Sequence, residues 1–326
     1  MTRRYSLKRG ATTNLLLVVI ATVVATLAAE ALARVLGVWP TLGQPVSVRG
    51  VATRTVDGVP LWSDKYPRYD GDDLRRMAND RDAFKIIGLG DSILYGVLQP
   101  KEGTYLEQVR HALASRMKRR VEILNMAVPG YNTRQEDAVF KEVEDQIKPN
   151  LVLVHYWEDD AHQYRAVGGY VVDVGNISEE EGHVVVRALP LPPLLSDFLL
   201  VHSRFYDLLT QAVLGYHRTR TVGADSWTNV SEPLADIQER AQRAGGRLLV
   251  LASPELNGPA PTPNGDLPRL QQLAASQGFE VIDVSEWLRG TNTSDIALDG
   301  CHFNAKGHAI IGEHLADYLL QHDLKE

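Results

Sequence analysis

The sequence predicts an α/β domain built on a parallel sheet, and two features carry that reading. Short apolar runs of strand length recur at residues 84–89, 121–126, 151–156, 247–252 and 279–284. Between and after them lie stretches of helical pattern at 104–119, 134–146, 233–244, 268–277 and 305–321. Strands that alternate with helices need crossover connections, which put helices on both faces of a parallel sheet. With 326 residues, 44% hydrophobic and 23% charged, the chain has length enough for a substantial core and the composition of an ordinary folded protein.

Ahead of that domain, Arg3, Arg4, Lys8 and Arg9 precede residues 15–29, which contain no charge. Fifteen residues fall short of the roughly 20 that span a bilayer. Residues 10–14 and 31–36 extend the run, with Glu30 and Arg34 spaced to pair on one helical face. The basic flank predicts an N-terminus kept in the cytoplasm and a domain outside it, periplasmic or extracellular, on a single-pass anchor. A cleaved export signal is the alternative, with Ala31-Leu32-Ala33 as a small-residue site. The layout is therefore 1–36 as basic flank and membrane segment, 37–83 as an irregular membrane-proximal stretch broken by Pro40, Pro45, Pro60 and Pro67, and 84–326 as the main domain. Residues 161–222 interrupt the strand–helix rhythm as an insertion. Its β-branched runs 170–174 and 183–186 read as two arms of a hairpin, and 194–216 as a helix overhanging the rim or completing the core. Residues 253–268, with five prolines, form a long loop after the fourth strand.

Charge excludes one class of partner. The four basic residues of 1–29 leave a formal charge of −11 on the remainder of a chain whose total is −7, so nothing draws it to nucleic acid. Cys301 is the only cysteine, which rules out an intrachain disulfide and a cysteine-rich metal site. Glu158, Asp159, Asp160 and His162 cluster, but without the spacing of a cation-binding loop, and a solvated acidic loop is the plainer reading. No metal and no cofactor is expected.

Chemistry concentrates at two places. Ser92 stands where the first strand turns into a helix, at the carboxyl rim where open sheets bind ligands. Helix N-termini offer unpaired N–H groups to a developing oxyanion. Downstream, Asp299-Gly300-Cys301-His302 puts a carboxylate and an imidazole three residues apart, just before the last helix. Serine, aspartate and histidine can form a nucleophile, an orienter and a base, since imidazole exchanges a proton near neutral pH. A serine after a strand also serves as a plain helix cap, an aspartate before glycine as a turn residue and a histidine as a buried structural group. Cys301 is a poor rival nucleophile because adjacent side chains point apart.

Three blocks then mark a resemblance. Gly90-Asp91-Ser92-Ile93, Asn125-Met126-Ala127-Val128-Pro129-Gly130-Tyr131 and Asp299-Gly300-Cys301-His302-Phe303-Asn304 occur in the order found in SGNH-type (GDSL-like) serine hydrolases, over most of residues 84–322. The resemblance implies a three-layer α/β/α sandwich with a flavodoxin-like sheet of about five strands. It implies Ser92 as nucleophile, His302 as base and Asp299 as its orienter, with the N–H groups of Ser92 and Gly130 in the oxyanion hole and Asn125 orienting its loop. A third block normally ends in Asn-Asp, and here Asp159 stands where that asparagine would help bind the oxyanion. An ionised carboxylate there would repel the intermediate, and one lost donor typically costs about 3 kcal/mol. Tyr156 and Trp157 are candidates to stack on a sugar at the rim, with packing as the commoner role for such aromatics, and His308 reads as solvent-facing.

The expected function is hydrolysis of an acyl ester, O-acetyl on a glycan first, through an acyl-enzyme. A lysolipid hydrolase or an acyltransferase with the same triad is an alternative. A weakly catalytic tethered binding domain is another, because of Asp159.

Overall fold

The computed structural model describes residues 3–35, 48–62, 71–161 and 227–324, with pieces at 164–167, 170–173, 177–180, 183–186, 191–203, 205–206 and 209. The chain forms two compact units, Thr53–Gln163 with Ala224–Glu326, and Met1–Ala52 with Tyr164–Gly223.

The first unit holds a five-stranded parallel sheet. Its strands are β1 (Phe84–Gly90), β2 (Val121–Asn125), β3 (Leu151–Tyr156), β4 (Arg247–Ala252) and β5 (Glu280–Asp283), in the order β5-β4-β3-β1-β2. Residues of β1, β2 and β3 are buried throughout, which explains why their sequences are mostly apolar on both faces, with Lys85, Glu122, Asn125 and His155 as buried polar exceptions: helices cover both faces. Alternate strand residues point to opposite sides. Phe84, Ile86, Ile123, Leu151, Leu153, Leu249 and Leu251 meet α2 (Tyr105–Arg116) and α6 (Ala305–His322) in one core. The intervening residues face α3 (Thr133–Lys141) and α4 (Thr228–Arg243), which pack on each other, while α5 (Leu267–Gln277) lies against β5. The strand order reverses between β1 and β3, and the carboxyl ends at that switch point are where such sheets bind ligands.

The five strands start and stop within two residues of expectation. The helices differ more. The single helix expected over 134–146 breaks into α3 and a turn at Glu144–Ile147, because the N–H groups of Glu142 and Val143 fall back to carbonyls three residues behind. Helix α4 begins five residues before Pro233 and carries that proline inside it.

The expectation of an irregular stretch at 37–83 is corrected wherever the chain is described. Val48–Val56 and Val59–Trp62 are strands joined through Asp57 (φ 49°) and Gly58 (φ 81°), and Gly71–Asn79 is a helix. Two successive residues with positive φ make the tight turn that suits a hairpin.

In the second unit the hairpin expected between 170–174 and 183–186 is replaced by two others. Tyr170–Asp173 pairs with Tyr164–Val167 on one side and with residues 48–51 on the other, while His183–Val186 pairs with Ile177–Glu180. Of the helix expected over 194–216, Pro193–His202 is observed, residues 205–206 and 209 are helical, and 210–216 lie outside the described residues. The N-terminal helix runs Arg3–Val35. Among the described residues no helix is long and apolar enough to cross a membrane.

Candidate active site

Strand β1 delivers Ser92 as the first residue of a one-turn helix, α1 (Ser92–Tyr95). Asp91 caps that turn, its Oδ1 accepting from the Ile93 N–H at 2.7 Å. Buried Ile93 and Leu94 root the turn in the core while Ser92 stays half-buried. The β2 loop is laid beside it. Asn125 donates to the Leu94 carbonyl (3.1 Å) and accepts from the Ala127 N–H (3.1 Å), and the Val128 N–H donates to the Gly90 carbonyl (3.0 Å). Gly130 follows in the left-handed region at φ 82°, a conformation that favours glycine. Among the described residues neither the Ser92 nor the Gly130 N–H has an acceptor within the protein, so both remain donors for a substrate oxygen.

The other half of the site is a tight loop before α6. The Leu298 N–H donates to the His302 carbonyl (2.8 Å), and Asn304 caps α6 by accepting from Lys306 and Gly307. The Leu256 N–H, from the proline-rich loop, donates to the Gly300 carbonyl at 3.0 Å. A Cβ on Gly300 would meet the end of the exposed Asn257 side chain, which would have to swing aside. Within this loop Asp299 Oδ1 accepts from the N–H groups of Cys301 (3.0 Å) and His302 (2.8 Å). Its Oδ2 lies 2.8 Å from His302 Nδ1, and His302 Nε2 lies 2.8 Å from Ser92 Oγ. The Asp91 carboxylate is the weaker partner of Ser92 Oγ, at 3.4 Å.

The electrostatics fix the tautomer. Partial burial pushes the Asp299 carboxyl up, but the two loop N–H groups and the His302 ring outweigh it and hold the pKa at about 2. An ionised carboxylate only accepts, so Nδ1 carries the proton and Nε2 is left as an acceptor facing the serine hydroxyl. Asp299, Cys301 and His302 also present ligand atoms within 4.8 Å of one another, but the imidazole and the carboxylate already satisfy each other.

Behind the nucleophile lies a buried polar layer that sequence reading missed. Tyr105 Oη is 2.7 Å from His155 Nδ1, and the Tyr105 N–H donates to His308 Nδ1 at 3.3 Å. His308 is 1% exposed, which corrects the expectation that it faces solvent: it stacks on Tyr105 and meets Phe303 edge-on. Burial, reinforced by His308, pushes His155 down to about 3, so the ring is neutral. Glu136, in the first turn of α3, is also buried, and among the described residues neither carboxylate oxygen has a hydrogen-bond partner. Burial first and the Asp91 charge second push its pKa well above the carboxylate range. A group neutral when folded and ionised when unfolded loses stability as pH rises past its unfolded pKa. Glu136→Gln is therefore expected to melt above wild type at alkaline pH, with the gap shrinking as pH approaches the ordinary carboxylate range, at up to about 1.4 kcal/mol per pH unit. Thermal melts across pH check this, and a pH-independent gap would contradict a neutral buried Glu136.

Two further expectations change. Tyr156 is 0% exposed, with its hydroxyl donating to Asp266 at 2.7 Å, and Trp157 is 7% exposed. Neither offers a stacking face; the last residue of β3 and the one after it are both buried in the core. The backbone of Asp159 lies in the turn Glu158–Ala161, while its side chain lies outside the described residues, as does His162. Asp160 is the carboxylate turned inward, accepting from the Trp157 N–H at 2.8 Å.

A family model described as the GDSL-like Lipase/Acylhydrolase family matches residues 89–310, which takes in all three blocks. The chain belongs to that family. The GDSL-like protein is thus a carboxylic ester hydrolase. No protein of curated function matches its sequence. Among solved structures it is similar to LAE5, an alpha/beta hydrolase enzyme from the metagenome of Lake Arreo, Spain, at 16% identity, covering 75% of this chain and 99% of that one with a TM-score of 0.46. It is similar to TesA at 15% identity, with 72% and 97% covered and a TM-score of 0.42. It is also similar to Axe2, an acetylxylan esterase from Geobacillus stearothermophilus, at 15% identity, with 74% and 95% covered and a TM-score of 0.44.

Proposed function

We propose that this GDSL-like hydrolase is a serine esterase tethered to a membrane by its N-terminal helix, with the hydrolase unit on the extracytoplasmic side, and that it removes short acyl groups, acetyl first, from a glycan. The observation that carries the catalytic part is the unbroken relay from Ser92 through His302 to Asp299, each link 2.8 Å.

In this reading the Ser92 hydroxyl gives its proton to His302 Nε2 as Oγ attacks the ester carbonyl. The oxyanion takes hydrogen bonds from the Ser92 and Gly130 N–H groups. Collapse expels the alcohol, which receives the proton from His302, and an acyl group remains on Ser92. Water, deprotonated by the same nitrogen, releases the acid and restores the serine. Asp299 remains ionised throughout and stabilises the imidazolium. An open site supports a small acyl group on a bulky alcohol: the Asp299 side chain is 55% exposed and that of His302 23%.

The tether rests on residues 10–29, twenty in a row without charge, about 30 Å of helix and thus the hydrocarbon thickness of a bilayer. Several side chains in that stretch lie outside the described residues. Those described, among them Leu17, Val18, Ile20, Val23, Val24 and Leu27, are exposed. The four basic residues ahead of the run support the orientation.

Turnover of p-nitrophenyl acetate and octanoate by the detergent-solubilised full chain, alongside acetate release from an O-acetylated polysaccharide, tests the substrate. Acetate is expected to be preferred by at least about tenfold, with acetate released from the polymer. A preference for octanoate with no release from the polymer would move the substrate to a lipid ester.

A further inference from the structure

Among its described side chains, the helix Pro193–His202 is inside out for a protein surrounded by water. Ser196 is buried, its Oγ 3.2 Å from the hydroxyl of buried Tyr206. Leu194 is 72% exposed and Phe198 58% exposed. Residues four apart share a helix face, whereas a residue two positions away lies about 200° around the axis. The serine therefore points inward and the leucine and phenylalanine outward, with Leu195 and Leu209 adding to the exposed apolar surface. A helix at an aqueous surface shows the opposite arrangement.

The same segment is tied to the end of the N-terminal helix. Glu30 accepts from the Ser203 hydroxyl and the Phe205 N–H, both at 2.9 Å, and pairs with Arg34 at 2.7 Å. Ser203 Oγ in turn accepts from the Tyr206 N–H at 3.0 Å. Glu30 thus caps the helical turn that follows Ser203. It is also the first charged residue after the uncharged run 10–29. In a membrane-spanning helix, Glu30 and Arg34 mark the level at which the chain leaves the hydrocarbon. Whatever Glu30 holds is then held at the membrane–water interface.

We propose that the helix Pro193–His202, together with Leu209, forms a second membrane contact, laying Leu194, Leu195, Phe198 and Leu209 into the outer interface of the phospholipid bilayer that the N-terminal helix spans. The inference rests on the tethered reading above and adds to it a segment that lies on the bilayer without crossing it. A bilayer is the occupant because Glu30, where the uncharged run ends, holds Ser203 and Phe205, which directly follow the helix that exposes these apolar side chains. Bilayer interfaces take up leucine and phenylalanine from helices that lie in their plane.

The test places p-benzoylphenylalanine at position 198 of the full chain, reconstituted in vesicles of phosphatidylcholine and phosphatidylglycerol. Irradiation is expected to add the mass of a phospholipid to the peptide that carries residue 198. Alkaline carbonate washing, done in parallel, reads the anchor separately. A chain that resists carbonate but takes up no lipid at position 198 overturns the second contact and leaves the tether standing. A crosslink from position 198 to another polypeptide also overturns it, in favour of protein docking. A chain that carbonate releases overturns the tether, and this inference with it.

Discussion

Ser92→Ala is expected to lower kcat/KM on p-nitrophenyl acetate by a factor on the order of 10⁶ while leaving the fold in place. The size follows from the loss of a covalent route: triad members act as a unit, so removing the nucleophile forfeits nearly all that the group contributes. His302→Ala added to Ser92→Ala is expected to cost almost nothing more, which is the signature of one relay and not two independent contributions. Stability is a separate matter. The Ser92 hydroxyl makes one bond of 2.8 Å from a half-buried position, worth about 1 kcal/mol, so Tm is expected to move by roughly 2–4 °C. Turnover kinetics and a thermal melt on the same sample check both halves. Wild-type turnover in the variant would remove Ser92 from the chemistry.

Asp299→Asn is expected to cost about 10⁴ in kcat with a folded protein, and the loop geometry says why. The Cys301 and His302 N–H groups, at 3.0 and 2.8 Å, already claim the Oδ1 position. The amide oxygen of an asparagine would go to those donors, turning its NH₂ group toward His302 Nδ1. A donor there drives the proton to Nε2, and His302 can no longer accept from Ser92. In the wild type Asp299 stays ionised down to about pH 2, so activity lost on acidification above that does not come from Asp299. The Asp299 contribution to stability is complete above about pH 4 and fades from there toward about 2, as for any carboxyl whose folded pKa is depressed. A pH–rate profile of wild type and variant checks the tautomer argument. Equal kcat in both would contradict it.

Short-range signals made the site legible in the sequence. Ser92 opens the turn directly after a strand that reads as buried, and Asp299 and His302 lie three residues apart, so their pairing needs only a local loop. Strands β1 and β3 were equally plain, because both faces of the sheet are covered there and every residue of them is buried. What stayed hidden depends on distant packing. His308 meets Tyr105 across 203 residues of sequence, and nothing near either one signals burial. Glu136 looks like an ordinary acid in a first helical turn, where an exposed carboxylate favours the helix dipole, until α4 packs on α3 beside it. Tyr156 stands at the end of its strand, as the sequence predicts, but its burial and the bond of its hydroxyl to Asp266, 110 residues away, depend on packing that no local pattern shows. In 48–62 the weight given to prolines and glycines outvoted the Asp57-Gly58 pair, which is itself a hairpin signal.

The most direct test of the relay is covalent. An activated phosphonate ester mixed with the full-length protein at neutral pH should phosphonylate one residue, and peptide mass mapping identifies it. The account predicts a single adduct on Ser92 that does not form in the His302→Ala variant. An adduct on Cys301 in place of Ser92, or one on Ser92 that forms equally fast without His302, would contradict it.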